Sequence, residues 1–282
     1  MNKRIHKIST YLLPFRTILI FCAGFFLALT IIFKIDANYT DELFQQLGRH
    51  ILDEARLNHE TEEKTILRAM NTTYNLQLAS KKNIFQYSPQ SFKAKYMRST
   101  DLDLLDVRGA CGSASMVLAR TLETMNFPTR IGQMYASGIF GGHIIIEVWS
   151  NGRWRVLDPL FNQAFIKPDG TLASFKDVQN NFSFYSKQIQ PNAPKEYQYK
   201  DVRYTNWEKI PILSPITKKL LNFVYGEQRA NEICLRKYLI KFYLIWHYVF
   251  LSLFITTMGI LLYQNRIKRN RFSSTTKNGI TN

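Results

Sequence analysis

Three residues in this chain have the types and spacing for nucleophilic chemistry: Cys111 in RGACGSASM, His143 in GGHIIIEVW and Asp158 in GRWRVLDPLFN. A thiol attacks carbonyl carbon only as a thiolate, so it needs a base. The base in turn needs a third group to fix its tautomer and orientation. Cysteine, histidine and aspartate supply those three roles in that order.

The elements around them support such a constellation. Residues 111 to 125 read as a helix, with Ala114, Val117, Leu118, Leu122 and Met125 at helical spacing facing a core. Cys111 opens that helix, where free amides and the positive dipole end favour a thiolate and can bind an oxyanion. Gly109 and Gly112 on either side allow a tight bend. Further on, HIIIEVW (143–149) and RWRVL (153–157) read as strands joined by Asn151-Gly152, a strong hairpin signal. A two-residue turn pairs Ser150 with Arg153 and sets Asp158 opposite Ile145. His143 lies two residues from Ile145, so Asp158 becomes its diagonal neighbour on one face. A one-residue slip would separate them.

These residues resemble the transglutaminase-like superfamily, a papain-related group of cysteine enzymes. The carrying features are Gly109-Ala110-Cys111 opening a helix, a strand with His143, and a strand ending in Asp158-Pro159. Pro128 with Arg130, Glu147, Gly152 and Trp154 add secondary matches, and the matching core covers about residues 105 to 162. The resemblance implies Cys111 as nucleophile, His143 as general base and acid, and Asp158 as the orienting carboxylate. It also implies an α+β fold with a papain/transglutaminase-like core, a nucleophile helix packed on an antiparallel sheet. Ile145 and Asn126 depart from the family, which often has an aromatic and a glycine there. The family includes crosslinkers, peptidases, amidases and non-catalytic members. The expected function is therefore acyl transfer on an extracytoplasmic peptide, protein or envelope amide. The alternative is a non-catalytic binding module in a cell-envelope or polysaccharide assembly system, for which the basic, aromatic stretch at 81–100 and Ile145 speak. The mechanism calls for no metal or organic cofactor. Cysteine and histidine are too few and too poorly spaced for a zinc site, and no phosphate-binding glycine loop occurs.

Two apolar runs bracket this region: Thr17 to Phe33, extended by Tyr11 to Phe15 beyond the single Arg16, and Phe242 to Tyr263. Each is long enough to cross about 30 Å of hydrocarbon. The expected organisation is a tail at 1–10, a span at 11–34, a domain at 35–238 with its core at about 60–180, a span at 239–263 and a basic tail at 264–282. No convincing small-x-small cleavage site follows the first run, Ala37 being a weak candidate, so an uncleaved anchor is expected. Lys3, Arg4, Lys7, Arg16 and Lys34 at one end, and Lys241, Arg266, Lys268, Arg269, Arg271 and Lys277 at the other, supply most of the formal net charge of +16. The basic balance is thus a topology signal rather than a mark of nucleic-acid binding. It predicts both termini cytoplasmic and the domain outside, with the lipid bilayer and an envelope substrate as partners. Of the three cysteines, only Cys111 belongs to the folded middle, so no disulfide framework is expected.

The remaining readings are coarser. Residues 38–80 read as amphipathic helices with a break at Asn58 to Glu63, their stripes formed by Leu43, Leu47, Ile51, Leu52, Ala55 and Leu57, then Ile66, Leu67, Met70 and Tyr74. Pro168-Asp169-Gly170 reads as a turn, 179–215 as a segment wrapping the surface or rimming the cleft, 216–238 as a helix, and the last residues as disordered.

Overall fold

A computed structural model of the chain describes residues 2–83, 99–105, 110–205, 214–234, 236 and 240–278. The basic aromatic stretch at 81–100 falls mostly outside the described residues, as does Gly109. The chain divides into two compact units, Tyr39–Phe242 and a second made of Met1–Asn38 with Tyr243–Asn282.

In the first unit, helices α1 (Asn2–Leu57, of which the part from Tyr39 belongs here), α2 (Glu62–Asn83), α3 (Thr100–Leu105) and α4 (Ala110–Thr124) precede a five-stranded antiparallel sheet. Its strands are β1 (Thr129–Ala136), β2 (Ile139–Ser150), β3 (Arg153–Asp158), β4 (Gln163–Ala164) and β5 (Val202–Arg203), in the order β4-β3-β2-β1-β5. The architecture is α+β.

The period-two alternation of β2 and β3 divides their side chains between two apolar cores. Ile144, Ile146, Val148 and Leu157 pack with Ile66 and Met70 of α2 and Leu118 and Leu122 of α4. Ile145 and Val156 pack instead with Phe165, Phe175, Val178 and Tyr199 from the chain after β3. Helix α4 is therefore fixed along its length, and its second, third and fourth turns are almost wholly apolar or small on the buried side. Arg120 braces it further. Its guanidinium reaches Asp41 at 2.6 Å, the Ile240 carbonyl at 2.6 Å and Thr100 Oγ1 at 2.8 Å. Arg155 likewise ties β3 to α2 through Glu63 at 2.7 Å, with its side chain only 3% exposed.

The hairpin has the predicted register. Ser150 pairs with Arg153 and the ladder runs to Ile146 and Leu157. Asn151 (φ 50°) and Gly152 (φ 76°) both take positive φ, the type I′ signature. The α1/α2 break also falls as expected, between Leu57 and Glu62, with His59 at φ 50°.

Five readings need correction. Cys234, read as lying outside the folded middle, is buried in its core with Leu118 and Ile131, because the chain after Ala230 packs back on the domain. Leu57 is 76% exposed rather than inward, because it ends α1; the deeply buried aromatic of that stripe is Phe44. The helix expected at 216–238 is instead α7 (Ser214–Tyr225) and α8 (Glu227–Ala230), interrupted at Gly226 with φ 77°. The segment 179–215 needs correction only in part: Asn192 and Tyr197 rim the cleft as read, but the chain here, after α5 (Phe175–Asn180), forms α6 (Phe182–Tyr185) and β5 and buries Tyr185 and Tyr199. The final residues are helical to Asn278, because α9 (Phe242–Asn278) meets no helix breaker before Gly279.

In the second unit, the α1 and α9 segments carry the two apolar runs, and both helices are long and apolar enough to cross a membrane. Large apolar side chains such as Phe21, Ile31, Ile255 and Leu262 are exposed on them. Between the helices, Phe33 stacks on Phe250 with ring centroids 5.4 Å apart, and His247 Nδ1 donates to the Thr30 carbonyl at 3.1 Å.

Candidate active site

Cys111 is the second residue of α4 and is partly buried. One turn later, Ser115 Oγ donates to the Ile144 carbonyl at 3.1 Å, which fixes the start of α4 against the strand residue next to His143. His143 lies on β2 opposite Met134, beside a register shift in β1 between Met134 and Tyr135. Gly142 is required there, because a Cβ at that position would overlap the Ala136 carbonyl oxygen. Asp158 ends β3 and pairs with Gln163 of β4.

The structure brings the three residues together. His143 Nε2 donates to Asp158 Oδ2 at 2.6 Å, with His143 fully buried and Asp158 2% exposed. The diagonal placement on the hairpin thus becomes a hydrogen-bonded pair. Nδ1 of the ring is buried, and with Nε2 given to Asp158 it is the nitrogen left to serve the thiol. The thiol and the imidazole act on each other electrostatically. Burial pushes the Cys111 thiol up, but hydrogen bonding and charge from His143, helped by the Ile144 backbone, outweigh it and hold the thiol below its ordinary value. Burial pulls His143 down, yet the hydrogen bond and charge of Asp158 together with the Cys111 thiolate lift it to about 9. Both shifts move the two groups toward a thiolate beside an imidazolium, and they titrate as a pair.

Two tyrosines complete the shell. Tyr199 donates its hydroxyl to the same oxygen, Asp158 Oδ2, at 3.2 Å and is 2% exposed. Tyr197 stacks on the imidazole, ring centroids 4.2 Å apart at 23°, while Phe161 tilts against it at 5.8 Å. Both tyrosines arrive because β5 pairs with β1, Met134 opposite Val202. Sequence reasoning missed them. The alternating Tyr-Gln-Tyr at 197–199 is the local sign, but its burial depends on a strand pairing far away in sequence.

Arg130 and Glu147, weighed as secondary matches, lie across from each other on β1 and β2 and form an ion pair at 2.6 Å. Arg130 also meets Glu232 at 2.7 Å and lies between the rings of Trp154 and Tyr204, while Glu147 accepts from the Tyr204 hydroxyl and the Phe175 amide. Every partner is satisfied, so this cluster braces the sheet. Among the described residues no three His, Cys, Asp or Glu side chains group as a bound metal would require.

The chain matches no family model, no curated protein and no solved structure. Its chemistry must be argued from its own geometry. That geometry sets a partly exposed thiol beside a buried imidazole whose Nε2–H is held by a buried carboxylate.

Proposed function

We propose that the chain is a membrane-anchored cysteine acyl-transfer enzyme of transglutaminase-like type, a peptidase, amidase or transamidase, acting outside the cytoplasm on a peptide, protein or envelope amide. The observation that carries this reading is the 2.6 Å His143–Asp158 hydrogen bond beside a thiol that His143 holds below its ordinary range. The reading adds a papain-like core to the α+β fold, and residues 35–238 outside a membrane crossed by the two apolar helices.

The steps follow from the residues. The Cys111 thiolate attacks the substrate carbonyl carbon, forming a C–S bond while the carbonyl π pair moves onto oxygen. The backbone N–H at the start of α4 stabilises that oxyanion. His143 gives its Nδ1 proton to the leaving nitrogen as the C–N bond breaks, leaving a thioester. Water or an amine then attacks the thioester, His143 takes its proton, and the thiolate departs. Asp158 holds Nε2–H throughout, so the proton traffic runs through Nδ1.

The test is the pH dependence of Cys111 alkylation by iodoacetamide in the detergent-solubilised full chain, followed on the Cys111 peptide by mass spectrometry. The midpoint should lie well below the ordinary thiol value of about 8.5. In His143→Ala it should rise above that value, because burial is then no longer outweighed. Equal midpoints in both proteins would overturn the reading and leave a binding module. Cys111→Ala should abolish turnover and leave the thermal unfolding of the domain in place.

A further inference from the structure

Next to the triad lies a groove of about 290 Å³ that the steps above do not use. Leu78 of α2 and Ala114 of α4 form one wall, and Leu160 and Phe161, just past Asp158, form the other. Tyr74, Gln77 and Asn192 add neutral polar groups, and among the described residues no charged side chain lines it. Two relations place it at the reacting centre. Ala114 stands one helical turn after Cys111, so it shares that side of α4. Phe161 is the same ring that tilts against His143 at 5.8 Å.

Resting on the acyl-transfer reading, we infer that this groove receives the group carried by the attacked carbonyl, and that this group is uncharged and apolar. The volume is at the lower end of small-molecule sites and holds one side-chain-sized group rather than a length of polymer. The walls reward removal of apolar surface from water. An acidic group is disfavoured twice: it would lose its hydration against Leu78, Leu160 and Phe161 with no cation among the described lining residues, and it would approach the Cys111 thiolate. The groove therefore selects amides whose acyl side bears an aliphatic or aromatic group over those bearing a carboxylate.

Three reagents with one electrophilic carbon and one leaving group test this without a known substrate: iodoacetamide, N-benzyl iodoacetamide and N-carboxymethyl iodoacetamide. In each, the Cys111 sulfur forms a bond to the CH₂ carbon and iodide departs, so the rate ratios report on the groove. In the full chain in detergent, the benzyl reagent should alkylate Cys111 about tenfold or more faster than the carboxymethyl reagent, the discrimination an apolar pocket gives for one added group. Leu78→Asp should bring that ratio down several-fold. Ala114→Leu, which fills the groove, should do the same, and a folded protein in either variant suffices. Micelle partitioning is common to all the proteins and cancels in the comparison. A benzyl preference that neither variant alters, or no preference in the wild type, overturns the inference. Its failure is separable from that of the acyl-transfer reading. An activated Cys111 with a flat ratio removes only the groove assignment, whereas an ordinary thiol midpoint unaffected by His143→Ala removes both.

Discussion

A buried imidazole usually favours its neutral form, because burial removes the hydration of the cation. His143 is the reverse case: a carboxylate at 2.6 Å and a thiolate on its other side bring it to about 9. The sign of this shift can be measured. Carbon or nitrogen resonances of labelled His143, assigned by their loss in His143→Ala, should titrate with a midpoint near 9. In Cys111→Ala the midpoint should fall, since one of the two negative neighbours is gone. An unchanged midpoint would show that the thiol stays protonated and contributes no charge. Because the raised value belongs to the imidazolium, the proton donation to the leaving group proposed above should be present below it and lost as pH rises through about 9. Tyr199 acts one residue further out. Its hydroxyl is the second donor on Asp158 Oδ2, and hydrogen bonds to charged groups contribute about 1.5–3 kcal/mol. Tyr199→Phe should lower kcat roughly tenfold with KM unchanged, since the ring does not touch the groove. A matching rise in KM would place Tyr199 in substrate binding instead.

At the level of elements, what the sequence made legible and what it did not have separate physical causes. The β2–β3 hairpin was legible because Asn151-Gly152 admits few turns, and the turn sets the register of everything on either side. The α4 stripe was legible because Val117, Leu118 and Leu122 recur at 3.6-residue spacing and all become fully buried. The positions of Tyr197 and Tyr199 were not legible, since they depend on β5 reaching β1 from the far end of the domain. Phe44 escaped notice for a similar reason: its burial against Leu104 and Val117 is set by tertiary packing rather than by its place in a local stripe. Gly142 joins the two kinds. Nothing local marks it apart from its neighbour Gly141, but in the fold it alone lets β2 pass the Ala136 carbonyl beside His143. Gly142→Ala must push backbone against backbone. The change should cost about 1–3 kcal/mol, the range for overpacking, and lower the thermal midpoint by several degrees. It should also move the Cys111 alkylation midpoint toward the ordinary thiol value, because displacing His143 weakens the pair. Loss of stability with an unmoved thiol midpoint would show that His143 does not depend on the bulge.

For the whole molecule, the distribution of charge and apolar surface matters more than any single contact. Two helices are long and apolar enough to cross a membrane and expose Phe21, Ile31, Ile255 and Leu262, surface that water does not favour. The tails outside the apolar runs, 1–16 and 264–282, carry basic charges and no acid, and short basic flanks are retained on the cytoplasmic side while long intervening domains translocate largely regardless of their own charge. The proposed arrangement therefore has a definite signature. Single cysteines placed at Ser273 in the C-terminal tail and at Ser137 on the exposed β1–β2 turn, in a Cys22→Ser, Cys111→Ser, Cys234→Ser background, should respond oppositely to a membrane-impermeant maleimide added to intact cells (spheroplasts, if an outer membrane is present). The Ser137 site should be labelled at once and the Ser273 site only after lysis. The reverse pattern would place the thiol–imidazole pair in the cytoplasm. Labelling of both sites in intact cells would mean that α9 does not span, and that its exposed apolar residues need another partner. In the proposed orientation a thiolate at Cys111 would be exposed to oxidation, and the fold leaves Cys111 only partly open and buries His143 and Asp158 beside it.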